Sequence, residues 1–85
     1  MRPMTMTQRM ISVSSAPLEN RFKLKPVSGC WKIQEIIGVN IVEAQEIPVT
    51  TMWPGLFPKR SNAIRQIEQV LKITLNEKQV RKIAY

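Results

Sequence analysis

The chain has 85 residues, of which 44% are hydrophobic, and it carries a formal net charge of +7 and one cysteine. A chain of this length holds one small domain, and its apolar share is sufficient for a folded core. No stretch approaches eighteen consecutive apolar residues, so we expect no membrane-spanning helix. The lone Cys30 excludes an internal disulfide, which favours a reducing compartment such as the cytoplasm.

Several residue types that catalytic sites use are missing. The sequence has no histidine, and all six of its acidic residues are glutamates. These absences remove the usual general base near neutral pH, the commonest transition-metal ligand and every Ser-His-Asp or Cys-His arrangement. The three glycines are too widely separated for a phosphate-binding loop. We therefore expect no enzymatic activity, no bound metal and no cofactor.

The positive charge is concentrated in the last third of the chain. Residues 59–85 contain seven Lys and Arg against two Glu, which leaves an excess of five positive charges, whereas residues 19–58 hold four of each sign. Such an asymmetry favours a polyanionic partner, with nucleic acid first and an anionic membrane surface second.

The first 18 residues differ in composition from the rest. They contain two arginines, several hydroxyl side chains and no acid. We predict a flexible tail over residues 1–18, followed by a single α+β domain over residues 19–85. Two alternatives stay open. The composition resembles that of an organellar presequence, and Ile11 and Val13 alternate with serines as in a short strand.

Residues 20–53 are typical of a small antiparallel sheet with about three to four short strands. Phe22 and Leu24 alternate with lysines in a first strand that ends at Pro26, and Ser28–Gly29 predicts a turn. A second strand follows from Trp31, although residues 31–37 also fit a helical period.

The rest of the sheet region is divided by turn residues. We interpret Gly38 and Asn40 as interruptions, and we predict a further strand in which Val42 and Ala44 share a face. The last strand covers residues 47–53, where Pro48 indicates an edge position because proline cannot donate to a neighbouring strand.

The connector "WPGLFP" between the last strand and the helices holds Trp53 and Phe57. Pro54–Gly55 fits the centre of a type II turn. We favour the interpretation that both aromatic side chains close the junction of sheet and helix. The alternatives are a stacking platform for unpaired bases beside Lys59 and Arg60, and a pocket for a partner protein.

Two helices are predicted at the end of the chain, over about residues 62–73 and 76–84. In the first, apolar residues recur at helical spacing on one face, and Ser61 or Asn62 is the expected N-cap. Glu68 is placed to pair with Arg65 and Lys72. For the second helix, Thr74 and Glu77 have the spacing of a capping box. The strands-then-helices order indicates an α+β fold.

The segment "LNEKQVRKIAY", residues 75–85, resembles the short helix that opens helix-turn-helix units in many bacterial and phage regulators. The resemblance covers these eleven residues. Alternatively, residues 62–73 and 76–84 form such a unit together, through a connector at 73–75 that lacks the glycine often found in the turn.

These observations favour a small, basic, nucleic-acid-binding accessory or regulatory protein of a phage or bacterium. Phosphate contacts give affinity and register without sequence choice, and the sequence offers no separate set of base-reading residues. The alternative is a non-enzymatic adaptor, or a small subunit, that docks on a larger protein or ribonucleoprotein assembly. The predicted nucleic-acid-binding residues are Lys59, Arg60, Arg65, Lys72, Lys78, Arg81 and Lys82.

Overall fold

The computed structural model describes the backbone of residues 9–12 and 16–85 and the side chains of residues 16–85. An antiparallel sheet is followed by two C-terminal helices, which confirms the predicted α+β class. In chain order the elements are β1 (Arg9–Ser12), a 3₁₀ turn (Leu18–Asn20), β2 (Phe22–Val27), β3 (Cys30–Val42), β4 (Gln45–Met52), α1 (Arg60–Leu71) and α2 (Glu77–Ala84).

The long strand β3 is the centre of the sheet. It pairs with β4 along residues 34–42, with β2 along residues 30–35 and with β1 along residues 38–41. The residues of β3 that pair with β4 include some that also pair with β2 and some that also pair with β1. Each edge of a strand holds one partner at a given position, so β1 and β2 both lie on the edge of β3 opposite β4, end to end. The sheet is therefore three strands wide, and β4 is an edge strand, as Pro48 predicted.

β3 runs without a break where we expected interruptions. The predicted ending near Gly38 and Asn40 is wrong, as is the helical alternative for residues 31–37. The register shifts between Ile36 and Gly38, so a β-bulge at Ile37 absorbs the irregularity and pairing continues.

Both tight hairpins turn through residues with positive φ. Ser28 and Gly29 have φ of 51° and 79°, as expected for the predicted turn. Glu43 and Ala44 have φ of 52° and 66° and form the second turn, although we expected them inside a strand. Neither residue type is typical of a left-handed turn position, so the local residue pattern did not indicate a turn here.

The hydrophobic core lies between the helices and one half of the sheet. Phe22 and Ile33 are 0% exposed and face Ile67 of α1 and Ile83 of α2, which are 0% and 1% exposed. The other buried members are Leu24, Ala63, Ile64, Leu75 and Ala84. Residues 39–52 contribute no fully buried side chain. We call residues 39–49, which extend beyond the helices, the β-arm.

The helix boundaries differ slightly from the predicted ones. α1 begins at Arg60 after an extended Lys59, so neither Ser61 nor Asn62 is its N-cap, and Lys59 makes no side-chain capping bond. The chain leaves the sheet at Phe57, which pairs with Trp31, and this attachment fixes where the helix starts.

The second helix has a capping box two residues later than predicted. Asn76 Oδ1 accepts from the Gln79 N–H at 2.8 Å, and Gln79 Oε1 accepts from the Asn76 N–H at 2.9 Å. The Thr74–Glu77 box is therefore wrong. Leu75 is buried and lies just before Asn76, the N-cap, whose backbone is extended.

The prediction of a flexible tail over residues 1–18 stays a prediction. Residues 1–8 and 13–15 lie outside the described residues, whereas Arg9–Ser12 forms β1, close to the strand alternative. Leu18 packs against the core, and the predicted domain boundary at residue 19 stays a prediction. In the part of the chain that the structure describes, no helix is long and apolar enough to cross a membrane.

Candidate nucleic-acid interface

The aromatic side chains of the connector belong to the core. The Trp53 ring meets Phe22 edge to face with centroids 5.3 Å apart, and its Nε1–H donates to Glu35 Oε1 at 2.8 Å. Phe57 packs against the core and exchanges two backbone hydrogen bonds with Trp31. Gly55 has the positive φ, 102°, that the predicted turn requires. The favoured interpretation of this connector is confirmed.

Glu35 organises the polar side of this junction. Glu35 accepts from the Trp53 indole and also forms an ion pair with Arg21, whose Nη2 lies 3.2 Å from Glu35 Oε2. The Glu35 and Arg21 side chains are each only 19% exposed. A carboxylate with two such donors is well satisfied despite partial burial. Arg21 is therefore a structural cation.

A different pair of aromatic residues surrounds a predicted site residue. The Arg60 guanidinium carbon lies 4.3 Å from the Trp31 ring centroid and 4.5 Å from the Tyr85 ring centroid. The guanidinium is thus stacked between β3 and the end of α2, and its Nε is buried without a hydrogen-bond partner. Such cation–π contacts contribute about 0.5–2 kcal/mol each. Arg60 joins three elements of the fold.

Tyr85 stands within the cationic face of α2. At 100° per residue, it falls between Arg81 and Lys78, with Lys82 next to them. Its backbone N–H bonds to the Arg81 carbonyl at 3.0 Å, so it continues the helical register. Its side chain is 78% exposed. α2 therefore presents an aromatic ring surrounded by positive charge.

α2 has an apolar inward face and a cationic outward face. Ile83 and Ala84 are buried, whereas Lys78, Arg81 and Lys82 are exposed. Arg81 forms a surface pair with Glu77, at 3.4 Å, with both side chains more than 70% exposed. An exposed pair of this kind is weak, so Arg81 stays available to another anion.

The expected neutralisation of α1 by Glu68 is absent. Its Oε2 accepts the Leu75 N–H at 2.8 Å, and in the described part of the chain it forms no ion pair with Arg65 or Lys72. The carboxylate is used to fix the connector between the helices. Arg65 is therefore a freer cation than its spacing from Glu68 suggested.

A groove runs along the junction of the two helices. One hollow of about 220 Å³ is lined by residues that include Arg60, Arg65 and Tyr85. A neighbouring hollow of about 540 Å³ is lined by Arg81 and Tyr85, with Val80 and Glu77. Val80 and Tyr85 border both hollows. We call the two together the helical groove.

The structure brings three of the seven predicted site residues together, namely Arg60, Arg65 and Arg81 along the helical groove. Lys78 and Lys82 lie on the adjoining exposed face of α2. Lys59 precedes α1, and Lys72 ends it in a left-handed conformation, with φ of 58°, so neither lines the groove.

Sequence reasoning missed Tyr85 and Trp31. Tyr85 was detectable, because it follows Lys82 by three residues and Arg81 by four and so shares their helical face. The part played by Trp31 was not detectable, because the whole of β4 separates Trp31 from Arg60 in the sequence. The two side chains meet only through tertiary packing.

No family model, curated protein or solved structure matches this chain. Within residues 16–85, no group of three or more potential ligands could hold a metal ion.

Proposed function

We propose that this protein binds nucleic acid as a small accessory or regulatory factor, through the exposed cations of α1 and α2, and that it is not an enzyme. The observation that supports this proposal is that Arg65 and Arg81 line the helical groove while Lys78 and Lys82 lie on the adjoining exposed face of α2. With Arg60, these cations number five against the two carboxylates at the groove, Glu68 and Glu77.

The mechanism is phosphate neutralisation. Lysine and arginine side chains displace condensed counterions from the backbone, so binding weakens as the salt concentration rises. Lys78 and Lys82 are exposed and have no acidic partner within residues 16–85, so bringing them near phosphates costs little desolvation. These contacts give affinity without sequence choice.

The test compares two double variants that each remove two charges. Lys78→Gln with Lys82→Gln alters α2, whereas Lys25→Gln with Lys32→Gln alters paired positions on the sheet. Each lost phosphate contact lowers the log–log salt slope by roughly 0.9 for duplex DNA and 0.7 for single strands. We expect the α2 variant to lower the slope by about 1.4–1.8 and the sheet variant to change it far less.

Equal effects of the two variants would show that only total charge matters, which would contradict an interface on the helices. Absence of binding by the wild-type protein at low salt to single-stranded or duplex nucleic acid would overturn the proposal itself. Melting temperatures of both variants should match that of the wild-type protein, because the four side chains lie outside the core.

A second candidate is docking on a protein or ribonucleoprotein assembly through the β-arm. The observation that favours it is the edge strand β4, where Ile47 is 46% exposed and the outer backbone groups have no strand neighbour in the described chain. An affinity pull-down with and without nuclease separates the two. Retention that nuclease abolishes supports nucleic-acid binding, and retention of one stoichiometric protein after nuclease supports docking.

A further inference from the structure

Tyr85 has two different ring environments. One side of the ring meets the Arg60 guanidinium at 4.5 Å from its centroid, yet the side chain as a whole remains 78% exposed. Arg60 is itself supported from behind by Trp31. The order Trp31–Arg60–Tyr85 is a stack that begins at the sheet and ends at an open aromatic ring.

The stack of Trp31, Arg60 and Tyr85 covers only part of the Tyr85 side chain. Burying Tyr85 is not its purpose, because most of its surface is in contact with solvent. The cation–π contact with Arg60 favours orientations in which one face of the Tyr85 ring lies against the guanidinium, which lowers the entropy that a further stacking partner must overcome. The exposed part of the Tyr85 ring can therefore stack on a flat group that is neutral or electron-rich.

The charges around the ring specify the rest of that partner. Tyr85 borders two hollows, of which one is lined by Arg65 and the other by Arg81. Each hollow also has one carboxylate at its border, Glu68 beside Arg65 and Glu77 beside Arg81, and Arg60 gives the groove a third cation against these two acids. A flat ring flanked by negative groups on both sides is the chemistry of a nucleotide within a strand.

We propose that the helical groove binds an unpaired base, which stacks on Tyr85 while Arg65 and Arg81 contact the flanking phosphates. The inference rests on the proposed nucleic-acid binding and deepens it to single-stranded DNA or RNA. In a duplex the base faces are covered by their neighbours, so Tyr85 reaches a base only when the strand is unpaired. Base–aromatic stacking contributes about 1–3 kcal/mol by alanine substitution.

The experiment uses the full chain and fluorescence anisotropy at low salt. The probes are labelled single-stranded DNA and RNA of the same sequence and the corresponding DNA duplex. The key variant is Tyr85→Ala, with Tyr85→Phe as the matched control that keeps the ring, and Tyr85→Leu as a variant that keeps an apolar cover over Arg60. Melting curves accompany each binding series.

We expect single strands to bind more tightly than the duplex. Tyr85→Ala and Tyr85→Leu should each weaken single-strand binding about tenfold with an unchanged salt slope, whereas Tyr85→Phe should bind like the wild-type protein. Comparison of the DNA and RNA probes shows which sugar the groove prefers.

The outcomes separate this inference from the proposed function. Equal binding of duplex and single strands, or single-strand binding unaffected by Tyr85→Leu, would overturn base stacking while the salt-slope test of Lys78 and Lys82 still supports phosphate binding. Loss of binding in Tyr85→Phe as well would also overturn it, because the ring is retained. If the wild-type protein binds none of the probes at low salt, both base stacking and the proposed nucleic-acid binding are overturned.

Discussion

The two halves of strand β3 have different surroundings, although they belong to one continuous element. Residues 30–35 pair with β2 and are covered by the helices, and Ile33 is 0% exposed. Residues 39–42 pair with β4, and residues 39–41 pair with β1 as well, and their side chains are only partly buried. Among the described side chains, the fully buried core is therefore built on the half of β3 that pairs with β2, whereas the β-arm contributes no fully buried member.

The long shape of the molecule follows from this division. Thirteen residues of extended chain span about 40 Å, and the longest dimension of the molecule is 52 Å, against 28 and 20 Å for the others. The β-arm carries Glu43 and Glu46 and no basic residue, whereas the helices at the other end are basic. We therefore expect most of the folding free energy in the covered half and the nucleic-acid contacts at the same end.

The largest predicted effect is on the covered half. Trp53→Ala removes a large ring that packs on Phe22 and a hydrogen bond to Glu35, and we expect it to lower the free energy of unfolding by about 3–5 kcal/mol. This is a large share of the roughly 4–13 kcal/mol typical of a chain this size. Urea denaturation measures the change.

Trp53→Phe is the control, because it keeps an aromatic ring and removes the hydrogen bond, with an expected cost of about 1–2 kcal/mol. A stable Trp53→Ala protein that no longer binds nucleic acid would restore the alternative in which Trp53 is a stacking residue.

The second prediction compares isoleucines on the same strand. Ile33→Ala should cost about 2–5 kcal/mol, because Ile33 is fully buried between sheet and helices. Ile41→Ala in the β-arm should cost less than about 1.5 kcal/mol, since the side chain is already partly solvated. Denaturation midpoints of the two variants measure the difference. Equal costs would show that the β-arm is as well packed as the core.

The third prediction concerns the turn at the tip of the β-arm. Ala44 has φ of 66°, which strains a residue with a Cβ, whereas the corresponding position of the first hairpin is Gly29. Ala44→Gly should therefore raise the free energy of unfolding by about 0.5–1 kcal/mol. Thermal melting checks the sign, and Ala44→Pro, which cannot adopt this φ, should destabilise the protein instead.

The smallest predicted effect is that of removing the N-terminal segment. Leu18 packs against the core, so the deletion ends at residue 15 and removes β1 while sparing Leu18. Because β1 pairs only with the uncovered half of β3, we expect the melting temperature to change by no more than a few degrees. Unfolding of the truncated domain would show that the β-arm and β1 contribute to the core after all.

Much of the fold was readable from local patterns. The alternation of Phe22 and Leu24 with lysines, and the helical spacing of Ile64 and Ile67, each identified the face that is buried. These patterns are reliable because the period of a strand or helix is fixed by the backbone, and the apolar face has to be covered. The continuity of β3 was not readable, because the β-bulge at Ile37 carries no distinctive residue.

The candidate site likewise has features that the sequence indicates and features that depend on tertiary contacts. The sequence by itself determined that the positive charge lies in the last third of the chain, and that Lys78, Arg81 and Lys82 share the outer face of a helix. Only the tertiary structure decided that Glu68 fixes the Leu75 backbone instead of neutralising Arg65, and that Arg60 is stacked between Trp31 and Tyr85. Helical spacing fixes neighbours three or four residues apart, whereas contacts between β3, α1 and α2 arise only when the core brings distant segments together.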